Sequence, residues 1–313
     1  MITIKAFNKG LVCRDFQYEV GKTYEIPKKN VKICKHGFHA SANCDISETM
    51  PYYSASKNTE YALVDINVVR KEEDKVVGDK ITIIKKLDSV EELSSYDKTG
   101  KWCYYYVKTV DNSNIKNPQN VIIKEDKTGK WCYAFARDIE GADIERLQDA
   151  TIEKDETGKW CYYFAVNIKN ADIKKLEDAV VKKDETGMYC YHFMENISNA
   201  NIKQLQEAVI RKDSVGMWCY YFAKYIEGAD IERLQDATIE KDLSGEWCYY
   251  FAKNIRGARI EKLEDAVVKK DKTGKWCTYF AEDVPNANIA KLEHAILQKD
   301  KTGKYYNYFT EVC

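Results

Sequence analysis

Apolar and polar positions follow two different rhythms along this 313-residue chain, and the change falls near residue 88. Before it, short β-branched and aromatic runs bounded by Gly, Pro, Asn and Asp predict strands at 2–7, 16–20, 23–26, 31–34, 61–69 and 80–87, with a helix within 45–54. Beyond it the apolar positions take helical spacing, and the whole pattern returns every 29 residues.

Seven full units span residues 97–299, beginning at Asp97, Asp126, Asp155, Asp184, Asp213, Asp242 and Asp271; a half unit runs from Asp300 to Cys313. Numbered from its Asp, the unit reads D-x-T-G-x-W-C-Y-Y-F-A-x-x-I-x-x-A-D-I-x-x-L-x-x-A-V-x-x-K. Positions 6, 10 and 14, with 7 and 11 beside them, share one helical face; in the third unit these are Trp160, Phe164, Ile168, Cys161 and Ala165. Thr157 is the expected N-cap. After a turn of about four residues, Asp143, Asp172, Asn201, Asp230 and Asn288 are placed to cap a second helix. Its buried stripe in the third unit is Ile173, Leu176, Ala179 and Val180.

Helices of this length are marginal alone, so neighbouring units must supply the core. The predicted fold is mainly α: an α-solenoid of helix-turn-helix repeats over residues 89–313, preceded by a small α+β domain over 1–88. Ser89 and Glu92 have capping-box spacing for a half helix that covers the first unit. In that unit Asn117 is expected as the cap and Pro118 as the first helical residue. At the far end Tyr306, Asn307 and Thr310 replace the usual Cys, Tyr and Ala with more polar side chains. The segment 140–155 recurs identically at 227–242, three units later, so a block of the array looks duplicated.

Lys and Arg number 49 against 50 Asp and Glu, giving a formal charge of −1 with the signs interleaved. That balance argues against a nucleic-acid binder, which would carry a basic stripe. With no apolar run long enough for a membrane span, a cytoplasmic protein is expected. Seven of the eleven cysteines (Cys103, Cys132, Cys161, Cys190, Cys219, Cys248 and Cys277) recur at the unit interval. Equivalent atoms of stacked helices lie about 8–10 Å apart, beyond disulfide reach, and no His or second Cys stands at metal-ligand spacing. They read as small buried hydrophobes; no metal or cofactor is expected.

Position 8 is the candidate binding feature. It is Tyr104, Tyr133, Tyr162, Tyr191, Tyr220 and Tyr249, roughly opposite the Trp, Phe and Ile stripe on a helical wheel. Such a ladder either faces a protein partner or packs against the next unit. The alternating charges of the second helix fit a solvated face.

The strings ITIKAFNKGLVCRDFQYEVGKTYEI and KICKHGFHAS, with Tyr52, Tyr53 and YALVDI, resemble an uncharacterised domain family of bacteriophage and prophage proteins. The resemblance implies a phage or bacterial origin and brings no known activity; Arg14-Asp15 stands where that family has Arg-Gly. In the same segment Arg14, His36, His39, Tyr52, Tyr53 and Glu60 form the one cluster rich in catalytic residue types. An early Arg, an F-H-A-S segment and a later strand resemble mono-ADP-ribosyltransferases, which implies NAD as a ligand. The leading expectation is a non-catalytic adaptor or inhibitor that binds a host or phage protein in the bacterial cytoplasm. An NAD-using enzyme with the repeats as targeting module is the alternative.

Overall fold

The computed structural model describes residues 1–110 and 114–312, so Cys313 lies outside the described residues. These form two compact units, 1–155 with 167–171, and 156–166 with 172–312.

In the first unit, β1 (Ile2–Asn8), β2 (Val12–Cys13), β3 (Phe16–Gln17), β4 (Thr23–Glu25), β5 (Phe38–Ser41), β6 (Thr59–Lys71) and β7 (Lys75–Leu87) form one antiparallel sheet. The order is β3-β2-β1-β6-β7-β4, with β5 also paired to β7. Alternate residues of β6 and β7, among them Val64, Ile66, Ile81 and Ile83, meet Phe7, Tyr18 and Phe38 in the core. Residues 31–34 are not a strand. Cys34 and Gly37 take positive φ, and Lys32 and His36 pair with each other, His36 N donating to Lys32 O at 2.8 Å, so the chain turns there and joins the sheet at Phe38–Ser41. Within 45–54 there is one 3-10 turn, Ile46–Thr49, capped by Asp45.

Helix α1 (Val90–Ser94) starts as its capping box predicts, with Glu92 N donating to Ser89 Oγ at 3.1 Å. Helix α2 (Lys101–Thr109) lies against the sheet, where Trp102 is wholly buried and its Nε1 donates to Tyr61 Oη at 3.0 Å. Helix α3 (Lys116–Glu125) begins two residues earlier than expected, so Pro118 is its third residue, not its first. Proline is still tolerated there, because the first four helical N–H groups have no intrahelical acceptor. Helices α4 (Lys130–Asp138) and α5 (Ile144–Lys154) complete this unit's repeats.

The second unit repeats the same pair: α6 (Lys159–Asn167), α7 (Ile173–Lys183), α8 (Met188–Asn196), α9 (Ile202–Lys212), α10 (Met217–Tyr225), α11 (Ile231–Lys241), α12 (Glu246–Asn254), α13 (Ile260–Lys270), α14 (Lys275–Asp283), α15 (Ile289–Lys299) and α16 (Lys304–Val312). The chain is thus a strand-rich domain followed by helical repeats of the solenoid class.

The first helix of each pair is capped by the position 1 Asp rather than by Thr. Asp213 Oδ1 accepts from Val215 N and Gly216 N, and its Oδ2 from Cys219 N, all at 2.9 Å. Val215 occupies the Thr position in that unit and the cap survives. Thr elsewhere adds two bonds: Thr186 Oγ1 accepts from Met188 N at 3.2 Å and donates to Asp184 Oδ1 at 3.1 Å. Position 4 must be glycine: Gly245 has φ +86°, and a Cβ there would come within 3.3 Å of Val267 Cα. For the second helix, Asp143, Asp172, Asn201, Asp230 and Asn288 cap as the sequence predicts.

Polar latches join consecutive pairs. The buried position 23 side chain accepts from the position 18 N–H of the next pair: Gln119 from Asp143 N at 2.9 Å, Glu177 from Asn201 N at 2.8 Å, Gln206 from Asp230 N at 2.8 Å. Position 29 reaches back, with Lys212 Nζ donating to Val181 O at 2.5 Å. These bonds fix register where apolar packing alone would permit sliding.

The seven unit cysteines are fully buried, and burial pushes the Cys277 thiol up to about 12. Cys34 is exposed. A thiol reagent is therefore expected to label Cys34 within minutes and the unit cysteines only in denaturant, as peptide mass mapping would record. Native labelling at Cys219 or Cys248 as fast as at Cys34 would contradict the buried assignment.

Candidate functional site

Tyr104, Tyr133, Tyr191, Tyr220 and Tyr249 are only 3 to 6% exposed, and Tyr162 is half-buried. The ladder therefore does not present its rings to solvent. A first helix is flanked on both sides, as α12 is by α10 and α14, and it also packs on its own second helix α13. The face opposite the Trp, Phe and Ile stripe is thereby covered. Tyr220 lies against Trp247 with ring centres 5.8 Å apart, and Tyr249 against Trp276 at 5.6 Å. The hydroxyls bond position 13 of the following pair: Tyr220 Oη accepts from Asn254 Nδ2 at 3.1 Å, and Tyr249 Oη donates to Asp283. Lys224 and Lys253 cover the two rings at 5.5 Å.

The aromatic surface that does reach solvent lies one residue on. From the fifth unit on, position 9 is Tyr221, Tyr250 and Tyr279, all half-buried, and Tyr308, 38% exposed. With Trp218 and Trp247, which are half-buried rather than wholly interior, they make a continuous strip. Trp218 meets Tyr221 at 5.8 Å, Tyr221 meets Trp247 at 5.9 Å, and Tyr250 meets Trp276 at 5.9 Å. The signal was present in the sequence, since positions 6 and 9 stand at i, i+3 and share a helical face.

In the strand-rich domain, Arg14, His36, His39, Tyr52 and Tyr53 line one pocket of about 740 Å³. Glu60 is elsewhere: its Oε2 accepts from Gly10 N and Leu11 N at 2.9 Å, and Lys86 pairs with it at 3.2 Å. His39 is held by its own turn. Its Nε2 accepts from Cys34 N at 2.9 Å, which leaves Nδ1–H to donate to Gly37 O at 3.1 Å. Burial, and next the nearby Lys5 charge, push its pKa down, so the ring is a neutral brace and not a free base. Arg14 donates to Lys35 O at 3.0 Å.

Sequence reasoning missed Lys5, which is 5% exposed on the pocket floor. Its Nζ donates to His39 O at 3.0 Å and lies 3.6 Å from Cys13 Sγ, to which Tyr53 Oη donates at 3.3 Å.

Residues 1–95 match the model of a family described as a domain of unknown function (DUF7666), a match that runs through the sheet and helix α1. No curated protein and no solved structure matches the chain. Among the described residues no helix is long and apolar enough to cross a membrane.

Proposed function

We propose that the chain is a protein-binding adaptor whose helical repeats dock a partner along the position 6 and 9 aromatic strip. The run of ring contacts from Trp218 to Tyr308, half-buried except for the buried Trp276 and the exposed Tyr308, carries this reading. Trp and Tyr bring large contact area at small entropic cost, and they dominate measured interface energies. Lysines such as Lys275, 4.0 Å from the Trp276 ring centre, and carboxylates such as Glu282, which accepts from Tyr308 Oη at 3.0 Å, border the strip. A polar-rimmed protein surface fits that mixture better than a polyanion does. The phage or prophage resemblance of the first domain extends the proposal to an inhibitor of a host defence factor in the bacterial cytoplasm.

The test is capture from bacterial lysate by the wild type and by the triple variant Tyr221→Ser, Tyr250→Ser, Tyr279→Ser, compared by quantitative mass spectrometry. Each change removes an aromatic contact worth about 1 kcal/mol to stability, whereas an interface aromatic contributes about 2 kcal/mol or more to binding. The expected result is a protein retained by the wild type and lost by a variant that still folds. Equal retention by both removes the strip from the interface.

The catalytic alternative, an NAD-using ADP-ribosyltransferase-like domain, draws support from the five residues that line one pocket. It is the weaker reading, because Glu60 caps a turn outside that pocket and both nitrogens of His39 are engaged.

A further inference from the structure

The pocket in the strand-rich domain has an unusual charge arrangement. Lys5 is nine-tenths buried on its floor, Arg14 and Lys75 line its wall, and His36 is exposed beside them. Lys75 is already paired, with Glu72 at 2.9 Å and Asp74 at 3.8 Å, and Glu48, the pocket's other carboxylate, accepts from Asn43 N at 3.0 Å. Among the described residues neither Lys5 nor Arg14 pairs with a carboxylate; the groups nearest the Lys5 ammonium are a carbonyl and the Cys13 sulfur. An ammonium taken out of water without a counterion is strongly disfavoured. Burial, partly opposed by Cys13 and reinforced by the Arg14 charge, pushes the Lys5 pKa down.

The remaining walls are aromatic. Phe16 and Tyr52 both line the pocket and keep 48% and 56% of their surface exposed, Tyr52 with Lys75 over one face of its ring at 5.7 Å, and Tyr18, Phe38 and Tyr53 line it too. The volume of about 740 Å³ falls within the range of organic ligand sites, roughly 300–1,000 Å³. A lone inorganic anion would satisfy the cations and leave these rings wet; an uncharged ring would do the reverse.

We propose that this pocket binds a nucleoside phosphate, with the phosphate against Lys5 and Arg14 and the base over the exposed Phe16 and Tyr52 rings. Two cations without a carboxylate partner, Lys5 and Arg14, suit a phosphate dianion better than a carboxylate, and Arg presents a donor fork matched to phosphate oxygens. The base needs no specific hydrogen bond to be held by aromatic faces. The assignment requires no catalytic step and is independent of the partner surface on the repeats.

Isothermal titration of the full chain with AMP, adenosine, inorganic phosphate and benzoate separates the contributions. AMP is expected to bind, adenosine and phosphate each at least about tenfold more weakly. Lys5→Met is expected to weaken AMP binding about tenfold or more while raising the melting temperature of the ligand-free protein, since it removes a buried unpaired charge. Should that variant fail to fold, Arg14→Gln at the exposed rim is expected to lower AMP affinity with the fold intact. Benzoate binding as tightly as AMP would replace the phosphate by an aromatic carboxylate and overturn the proposal as stated. So would adenosine binding equal to AMP, or AMP affinity unchanged in both variants. A thiolate absorbance near 240 nm that disappears in Cys13→Ser would give Lys5 an internal counterion and likewise overturn it.

Discussion

Replacing Tyr220 and Tyr249 together by Ser is expected to destabilise the helical repeats by about 6 kcal/mol, since truncating one buried aromatic costs about 3 kcal/mol or more. Each ring fills the gap between one first helix and the next, against Trp247 or Trp276, and each hydroxyl is bonded to a residue 34 positions on. Tyr→Phe at the same sites keeps the ring and loses only the hydroxyl bond, so its cost should be nearer 1 kcal/mol each. Urea unfolding followed by helical circular dichroism measures both. The ratio between the two substitutions is the informative quantity. A double Ser variant within about 1 kcal/mol of the wild type would mean that the rings are dispensable to packing and would return them to the partner surface.

The same residues show where the sequence was legible. A strict 29-residue period exposes unit boundaries, the two helices and the Asp and Asn caps of the second helix, because each of these is local to a few residues. A helical wheel treats each helix as having one buried side. In the repeats a first helix touches a helix before it, a helix after it and its own partner, so position 8 is interior although it lies opposite the Trp, Phe and Ile stripe. The Gln or Glu at position 23 hides for the same reason: it looks solvated, yet Gln235 accepts from Arg259 N at 2.8 Å in a buried setting. Recurrence of an amide or carboxylate oxygen at one position in every unit was the available signal.

In the first domain the gap has a different cause. The alternation in Ile2, Thr3, Ile4, Lys5 and Ala6 predicts Thr3 and Lys5 on a wet face. Strand β5 and the 3-10 turn after it fold over that face instead, and Thr3 Oγ1 donates to Ser41 O at 2.7 Å. The covering strand follows a turn of positive-φ residues, which alternation cannot register. Five of the six clustered residues do line the pocket, but nothing in the local pattern marks its buried cation.

Deletion of residues 1–88 is expected to leave helices and to unfold the first repeat. A nearest-neighbour array should tolerate loss of a separate domain, and on that ground the sequence predicts a soluble remainder. The first repeat, however, shares its core with the sheet. Trp102 meets Tyr61 edge-on at 5.9 Å, Lys98 N donates to Asp45 Oδ1 at 3.3 Å, and Thr109 Oγ1 donates to Ala55 O at 2.8 Å. Removing the sheet takes the Tyr61 contact away from the wholly buried Trp102 ring. In the full chain, Trp102→Ala alone should cost about 3–5 kcal/mol. Hydrogen exchange locates the damage: amides of α2 and α3 are expected to lose protection in the deletion variant, while those of α8 to α15 keep wild-type rates. Shortening the chain further, to begin at Asp126, should restore solubility, because Trp131 is already half-buried rather than wholly enclosed. Full protection of residues 101–125 after deletion of 1–88 would show that Trp102 needs no sheet, and that the strands and the repeats fold as independent domains after all.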